Sequence, residues 1–275
     1  MSAQKRLIIV TDLDGSLLDD SYSWAAALPA LELIRERNIP LVLNSSKTMA
    51  EMRELANALG TTAPIVAENG GLLAVHEASE FNDLDAVVAR IGEYLIQING
   101  LSRGVIVEKA HLLREQYGYQ FEGFADWSDI EIAERTGLCD VMASRAGLRH
   151  ATEPILWHDT LERRRHFEAQ LMKYGIRVLR GGRFLHLMGR VDKADGSCAA
   201  VKLYLRSNPD TKWHVVAVGD SANDLAMLEA ADIAVVIPHV DGPHIAPNAT
   251  RVVTASSPSS VGWNEAILTI LQEFN

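Results

Sequence analysis

Two aspartates stand two residues apart in the stretch Leu7–Leu18, LIIVTDLDGSLL, directly after an unbroken apolar run. That run, Leu7–Val10, suits a strand buried on both faces, as in a parallel sheet. In extended backbone, residues i and i+2 point to the same side, so Asp12 and Asp14 share one side of the chain. Gly15 lets the backbone turn sharply after them. Two carboxylates held together at a strand end repel each other unless a cation or a shared proton intervenes. Mg²⁺ suits such a place, because it binds a few carboxylates and completes its shell with phosphate oxygens and water. Alone, D-x-D-G also describes an acidic turn, and the rest of the chain must separate the two readings.

Other polar groups fall at comparable places. In an open α/β sheet, ligands bind beyond the carboxyl ends of the strands. Ser45 follows the apolar Ile39–Leu43, Lys193 stands at the head of a helix over Lys193–Leu205, and Asp220, Asn223 and Asp224 follow the strand His214–Val218. Each also has a structural account. Ser45 and Ser46 can cap the next helix, with Glu51 closing a capping box from Thr48. Lys193 can be a solvated lysine, Asp220 a loop acid and Asn223 a helix cap. As a set, the acids, the small hydroxyl and the lysine have the parts of a phosphoryl-transfer site. They offer a carboxylate nucleophile, a second carboxyl to move a proton, a metal site and a fixed cation.

The elements that must position these groups alternate in type. After the first strand come a helix over Trp24–Arg37, the strand Ile39–Leu43, a helix over Thr48–Leu59 stopped by Gly60, and the strand Ile65–Ala67. Asn69-Gly70 signals a hairpin into a returning strand, Leu72–Val75. This order predicts a doubly wound, mainly parallel α/β sheet. From about Phe81 to Arg183 the apolar strands weaken and the helices become more polar. Leu84–Ile98, Trp127–Thr136 and Thr160–Tyr174 read as helices, Ile155–Trp157 as a short strand, and Arg177–Leu179 with Phe184–Met188 as a hairpin through Gly181-Gly182. We therefore expect an α+β domain over residues 82–187, inserted into a discontinuous core of residues 1–81 plus 188–275.

The 275 residues carry a net charge of −10, with 48% apolar and 23% charged residues. An acidic surface argues against general nucleic-acid or anionic-membrane binding, yet a locally positive pocket can still take an anionic substrate. Cys139 and Cys198 fit no metal or redox spacing and read as reduced thiols. The N-terminal apolar run is too short for a signal peptide or a membrane span, so a cytoplasmic location is expected. No feature of the sequence sets an oligomeric state.

Four segments resemble, in order, the motifs of the haloacid dehalogenase-like phosphatases: DLDGS, the serine of LNSSK, the lysine of VDKADG, and GDSANDLAML. The likeness implies that Asp12 is a nucleophile forming an aspartyl-phosphate. Asp14 would protonate the leaving oxygen and then deprotonate the attacking water. Ser45 and Lys193 would hold phosphoryl oxygens, and Lys193 would offset charge on Asp12. Mg²⁺ would be bound by Asp12, the backbone carbonyl of Asp14, and Asp220, with Asn223 and Asp224 orienting Lys193 and metal-bound water. An insert between the second and third motifs implies a cap over the site.

A finer likeness lies in Ser45-Ser46-Lys47-Thr48 with Met49-Ala50-Glu51-Met52, in Ala67-Glu68-Asn69-Gly70, in Arg149-His150-Ala151-Thr152-Glu153-Pro154, and in Gly182-Arg183-Phe184-Leu185-His186. These strings resemble the mannosyl-3-phosphoglycerate phosphatases. Gly15-Ser16 stands where many relatives have Gly-Thr, which keeps the hydroxyl. The resemblance implies hydrolysis of 2-O-mannosyl-3-phosphoglycerate to mannosylglycerate, a compatible solute. Its substrate-binding candidates are Ser46, Lys47, Asn69, Glu153, Arg183 and His186. Arg183 or Lys47 would meet the glycerate carboxylate, His186 a carboxylate or hydroxyl, and Glu153 the sugar hydroxyls. Arg183 can also be a hairpin-tip charge, His186 an edge-strand residue, Glu153 a strand cap and Asn69 a turn residue. The same chemistry on glucosyl-3-phosphoglycerate or another sugar phosphate, or transfer as in a mutase, stays open.

Overall fold

A computed structural model describes residues 5–81, 84, 87 and 89–274. The first part of the chain gives β1 (Lys5–Thr11), α1 (Leu28–Glu36), β2 (Leu41–Asn44), α2 (Met49–Leu59), β3 (Ile65–Ala67), β4 (Leu72–His76), β5 (Ala89–Ile91) and β6 (Tyr94–Ile98). A second group follows: α3 (Arg103–Tyr117), β7 (Phe121–Gly123), α4 (Asp129–Thr136), α5 (Asp140–Gly147), β8 (Thr152–Trp157), α6 (Leu161–Lys173), β9 (Ile176–Gly181) and β10 (Phe184–Gly189). The chain closes with α7 (Lys193–Ser207), β11 (Lys212–Gly219), α8 (Leu225–Glu229), β12 (Ile233–Val236), β13 (Val252–Thr254) and α9 (Ser259–Glu273).

Among the described residues, nine strands form one sheet in the order β13-β12-β11-β1-β2-β3-β4-β6-β5. From β13 to β3 the pairing is parallel; β4, β6 and β5 continue it antiparallel. β1 lies inside the sheet between β11 and β2, and period-2 alternation sends its apolar residues to both faces. Ile9 packs with Met49, Met52, Trp263 and Ile267 from α2 and α9. Ile8 and Val10 pack with Ala200, Leu203, Met227 and Leu228 from α7 and α8. Two covered faces explain why Leu7–Val10 is an unbroken apolar run. Helix α2 starts on the expected Thr48–Glu51 capping box and stops at Gly60 with φ of 67°.

The second group builds a four-stranded antiparallel sheet, β7-β8-β10-β9. One face carries α3 and α6 over Ile106, Leu113, Phe167, Leu171, Leu185 and Leu187. A smaller cluster, Phe124, Trp127, Ile132, Ala143 and Ala146, packs with Phe184 and brings in α4 and α5. The β9–β10 hairpin turns through Gly181-Gly182 as expected.

Two expectations change. Leu84–Ile98 is not a helix. Its described residues form β5 and β6, joined by a turn at Gly92 with φ of 57°. Tyr94 and Ile96 are buried and alternate with less buried neighbours, a strand period. β6 hydrogen-bonds to β4, so this stretch of the expected insert extends the large sheet instead. The small-sheet unit therefore starts near α3. Residues 85, 86 and 88 of that stretch, and 82 and 83 just before it, lie outside the described residues.

The small-sheet unit is seated on the core through polar contacts. Arg145 of α5 pairs with Glu54 of α2, and its carbonyl accepts from Thr48 Oγ1 at 2.9 Å. The buried Glu68 carboxylate accepts from the His150 amide (2.7 Å), the Ala151 amide (3.0 Å) and Thr152 Oγ1 (2.6 Å). No helix among the described residues is long and apolar enough to cross a membrane. Both cysteines are free and exposed.

Candidate active site

The site grows out of the end of β1. Thr11 is in register with Val218 of β11 and Leu43 of β2, so the residues after all three strands emerge at one sheet edge. The Asp12 amide donates to the Val218 carbonyl at 2.9 Å, and Trp263 Nε1 donates to Thr11 Oγ1 at 2.9 Å. Gly15 then turns with φ of 80°. A Cβ there would stand 2.7 Å from Asp220 Oδ2, so the missing side chain is what lets the first and fourth motifs close on each other.

Lys193, the first residue of α7, is 1% exposed. Its Nζ donates to Asp12 Oδ1 and, at 2.6 Å, to Asp224 Oδ1. Asp224 Oδ2 accepts from the amides of Asp220 (3.2 Å) and Ser221 (3.1 Å), so both Asp224 oxygens hold neighbouring groups in place. Asp220 differs. Its Oδ1 is buried with no hydrogen-bond partner. Its Oδ2 lies 3.0 Å from His239 Nε2, close enough for charge interaction but not aligned as a hydrogen bond.

Carboxylate oxygens of Asp12, Asp220 and Asp224 lie within 4.8 Å of one another. Burial raises the Asp12 carboxyl to about 8; Lys193 opposes that shift, and Asp224 and Asp220 add to it. Burial, then Asp224, raises Asp220 to about 6. For Lys193, burial favours the neutral amine, but Asp12 and Asp224 more than reverse this and the ammonium is held. An orphaned carboxylate oxygen in an acid cluster with a single ammonium is what a divalent cation relieves. An all-oxygen donor set fits Mg²⁺.

Ser45 is buried after β2. Its Oγ accepts from the Lys47 amide at 3.2 Å, and its carbonyl accepts from the Asn69 amide at 3.0 Å. Asn69 adopts φ of 56°, and its Oδ1 accepts from Asn223 Nδ2 at 3.2 Å, tying the β3–β4 turn to the fourth motif. Lys47 Nζ pairs with Asp14 Oδ2 at 3.0 Å and lies over the Tyr22 ring at 4.8 Å. Asp12, Asp14, Ser45, Lys47, Asn69, Lys193, Asp220, Asn223 and Asp224 thus gather at one end of the large sheet.

The candidates on the small sheet divide. Both oxygens of buried Glu153 are engaged, Oε1 by the Ala125 amide and Oε2 by Arg103 Nε, each at 2.7 Å. This carboxylate braces the small-sheet unit. Arg183 is an exposed hairpin-tip residue whose Nη2 donates to the Thr136 carbonyl at 2.8 Å, at the end of α4. It does not join the cluster. The Ser46 carbonyl lies 3.4 Å from Arg149 Nη1. His186 sits within β10 with its Nδ1 buried and unpartnered; burial, helped by Arg149, lowers its pKa to about 3.

Three residues escaped the sequence reading of the site. Asn44 Nδ2 donates to the Lys193 carbonyl and to Ser197 Oγ, both at 2.9 Å, and so fixes the start of α7. Glu68 fastens the two sheet units together. Arg149 reaches from the small-sheet unit to the second motif. Glu68 and Arg149 stand inside strings that carried the resemblance, but nothing in their spacing gives them partners.

Residues 9–111 match the family model described as haloacid dehalogenase-like hydrolase. The chain has the haloacid dehalogenase-like hydrolase fold. It is similar to a haloacid dehalogenase-like hydrolase from Bacteroides thetaiotaomicron, with 20% identity, TM-score 0.64, and 97% and 99% of the two chains covered. A Thermoplasma acidophilum protein matches with 18% identity, TM-score 0.61 and 98% of each chain covered. A structure described as a subclass IIB sugar phosphatase of the superfamily matches with 13% identity, TM-score 0.60, and 96% and 98% covered. At these identities the likeness to the solved structures is one of fold, and it extends over both sheet units.

Proposed function

We propose that this haloacid dehalogenase-like chain is a Mg²⁺-dependent phosphatase that hydrolyses 2-O-mannosyl-3-phosphoglycerate through an aspartyl-phosphate on Asp12. The observation that carries the chemistry is the pairing of buried Asp12 with buried Lys193 beside the unpartnered oxygen of Asp220. Asp12 and Asp220 would be the main side-chain ligands, with Asp224, whose oxygens hold Lys193 and the Asp220 and Ser221 amides, closing the same acid group. Bound Mg²⁺ would neutralise phosphate charge and so let an anionic nucleophile approach.

The protein's own groups do the rest. An Asp12 carboxylate oxygen attacks phosphorus, and the bond to the ester oxygen breaks. Asp14, held by Lys47, gives that oxygen a proton. Water then attacks the aspartyl-phosphate, Asp14 takes the proton back, and inorganic phosphate leaves with Asp12 restored. Lys193 offsets charge on Asp12 throughout, and Ser45 with the Lys193 ammonium faces the phosphoryl oxygens.

The substrate assignment rests on the Ser45–Met52 string and on the small-sheet strings that resemble the mannosyl-3-phosphoglycerate phosphatases. A second reading, hydrolysis of a simple sugar phosphate, is favoured by the fold shared with the structure described as a sugar phosphatase. Phosphate release with Mg²⁺ from mannosyl- and glucosyl-3-phosphoglycerate, 3-phosphoglycerate, mannose 6-phosphate and sucrose 6-phosphate separates the two. A clear preference for mannosyl-3-phosphoglycerate supports the proposal. Equal, slow turnover of all five removes the specific substrate while keeping the chemistry.

A further inference from the structure

Arg149 lies just before β8, where the small-sheet unit meets the second motif. Its Nη1 donates to Thr152 Oγ1 at 2.8 Å and reaches the Ser46 carbonyl at 3.4 Å. Its Nε is buried with no hydrogen-bond partner. Among the described residues no carboxylate forms an ion pair with it. The other candidate cations are committed: Arg103 to Glu153, Lys47 to Asp14, and Arg183, at its hairpin tip, to the Thr136 carbonyl. His186 pairs with Pro154 across the β8–β10 ladder, two residues along from Thr152, and its Nδ1 is likewise buried without a partner.

Buried polar groups in native proteins are paired, and each exception calls for a reason. Two exceptions of different chemistry in one sheet unit, the first reaching Ser46 beside Ser45, share one reason if a ligand completes them. A guanidinium whose Nε has no partner can take a carboxylate side-on, through two parallel N–H···O bonds. An imidazole beside it supplies one further donor or acceptor for a hydroxyl.

We propose that Arg149 binds a carboxylate on the alcohol half of the substrate, with His186 taking a neighbouring hydroxyl. The pair thereby selects phosphate esters of hydroxy-acids. The inference rests on the phosphatase reading above and replaces Arg183 and Lys47 as the carboxylate's partner. Arg149 is a specificity residue here; it touches the leaving group and not the phosphorus.

The test compares 2-O-mannosyl-3-phosphoglycerate with p-nitrophenyl phosphate, which has no carboxylate, on wild type, Arg149→Met, Arg149→Lys and His186→Gln. A charge-assisted hydrogen bond is worth about tenfold to a hundredfold in binding. Arg149→Met should therefore raise KM for the carboxylated ester by about that factor and leave p-nitrophenyl phosphate within about twofold. Added guanidinium should restore the carboxylated substrate only. Arg149→Lys, which keeps the charge and loses the fork, should fall between; it also serves if the methionine variant does not fold. His186→Gln should move KM in the same direction by a smaller factor. Equal losses on both esters, or no loss on either, overturn the inference and leave the phosphatase reading standing. Wild type inert toward both esters overturns that reading, and the inference with it.

Discussion

Replacing Lys193 with methionine keeps most of the buried volume and removes the ammonium shared by Asp12 and Asp224. Lys193 is 1% exposed and Asp224 fully buried, so neither can recover its hydration by a small movement. Breaking a buried ion pair costs about 3–5 kcal/mol when the remaining partner stays charged. The acids can avoid part of that cost by holding protons, as the raised Asp12 already does with Lys193 present. Without the ammonium, the Asp12–Asp220–Asp224 cluster should keep one proton more than in wild type.

The sign then follows. A folded state whose acids titrate above their unfolded values binds more protons than the unfolded chain, so its stability falls as pH rises. One extra retained proton is worth about 1.4 kcal/mol per pH unit. The stability gap between wild type and Lys193→Met should widen by about 3 kcal/mol from pH 5.5 to 7.5. Denaturant unfolding in EDTA at several pH values measures it directly. Phosphate release with Mg²⁺ should fall at least about 100-fold, as expected for losing a preorganised charge at the transition state. A stability gap that does not change with pH would refute the reasoning, because it would mean the acids do not answer to the lysine.

Three other perturbations test other parts of the account. Gly15→Ala places a methyl group 2.7 Å from Asp220 Oδ2 on a backbone with φ of 80°. It should cost about 1–3 kcal/mol and weaken Mg²⁺ binding about tenfold by calorimetry, whereas unchanged affinity would argue against Asp220 as a ligand. Glu68→Gln turns an acceptor for three donors into a group with donors of its own. A loss of about 2–3 kcal/mol is expected, with faster amide exchange at residues 150–152; full protection there would contradict the fastening role. His186 is lowered from 6.5 to about 3, so its contribution to stability is complete above pH 6.5 and is lost as pH falls towards 3. About 2 kcal/mol should vanish between pH 7 and pH 5 in wild type but not in His186→Gln, and identical profiles would count against a deeply held imidazole.

The core was readable because its signals are local. An apolar run followed by a turn glycine, an acid or a small hydroxyl at the strand end can be seen within a dozen residues, and the parallel register then brings those ends together. The Thr48–Glu51 box and Gly60 bound α2 for the same reason. The small-sheet unit was less readable. Tyr94, Leu95, Ile96 and Ile98 suit a helix as well as a strand in a short window, and only pairing with β4 decides between them. Glu153 and Arg183 could be seen as charged residues in suggestive strings, but their partners, Arg103 and the Thr136 carbonyl, lie about fifty residues away. Asn44 was hidden for a similar reason: its partners on α7 are about 150 residues off. Spacing along a chain specifies which elements form; long-range hydrogen bonds decide which polar side chains are left over for a ligand.

The central claim is that Asp12 becomes phosphorylated. Acid quenching of wild-type protein during turnover of a phosphate ester with Mg²⁺, followed by peptide mass spectrometry, locates any phosphoryl adduct. An adduct on Asp12 should rise with substrate and disappear when substrate is exhausted. An adduct on another residue, or sustained turnover by Asp12→Asn at the wild-type rate, would contradict it.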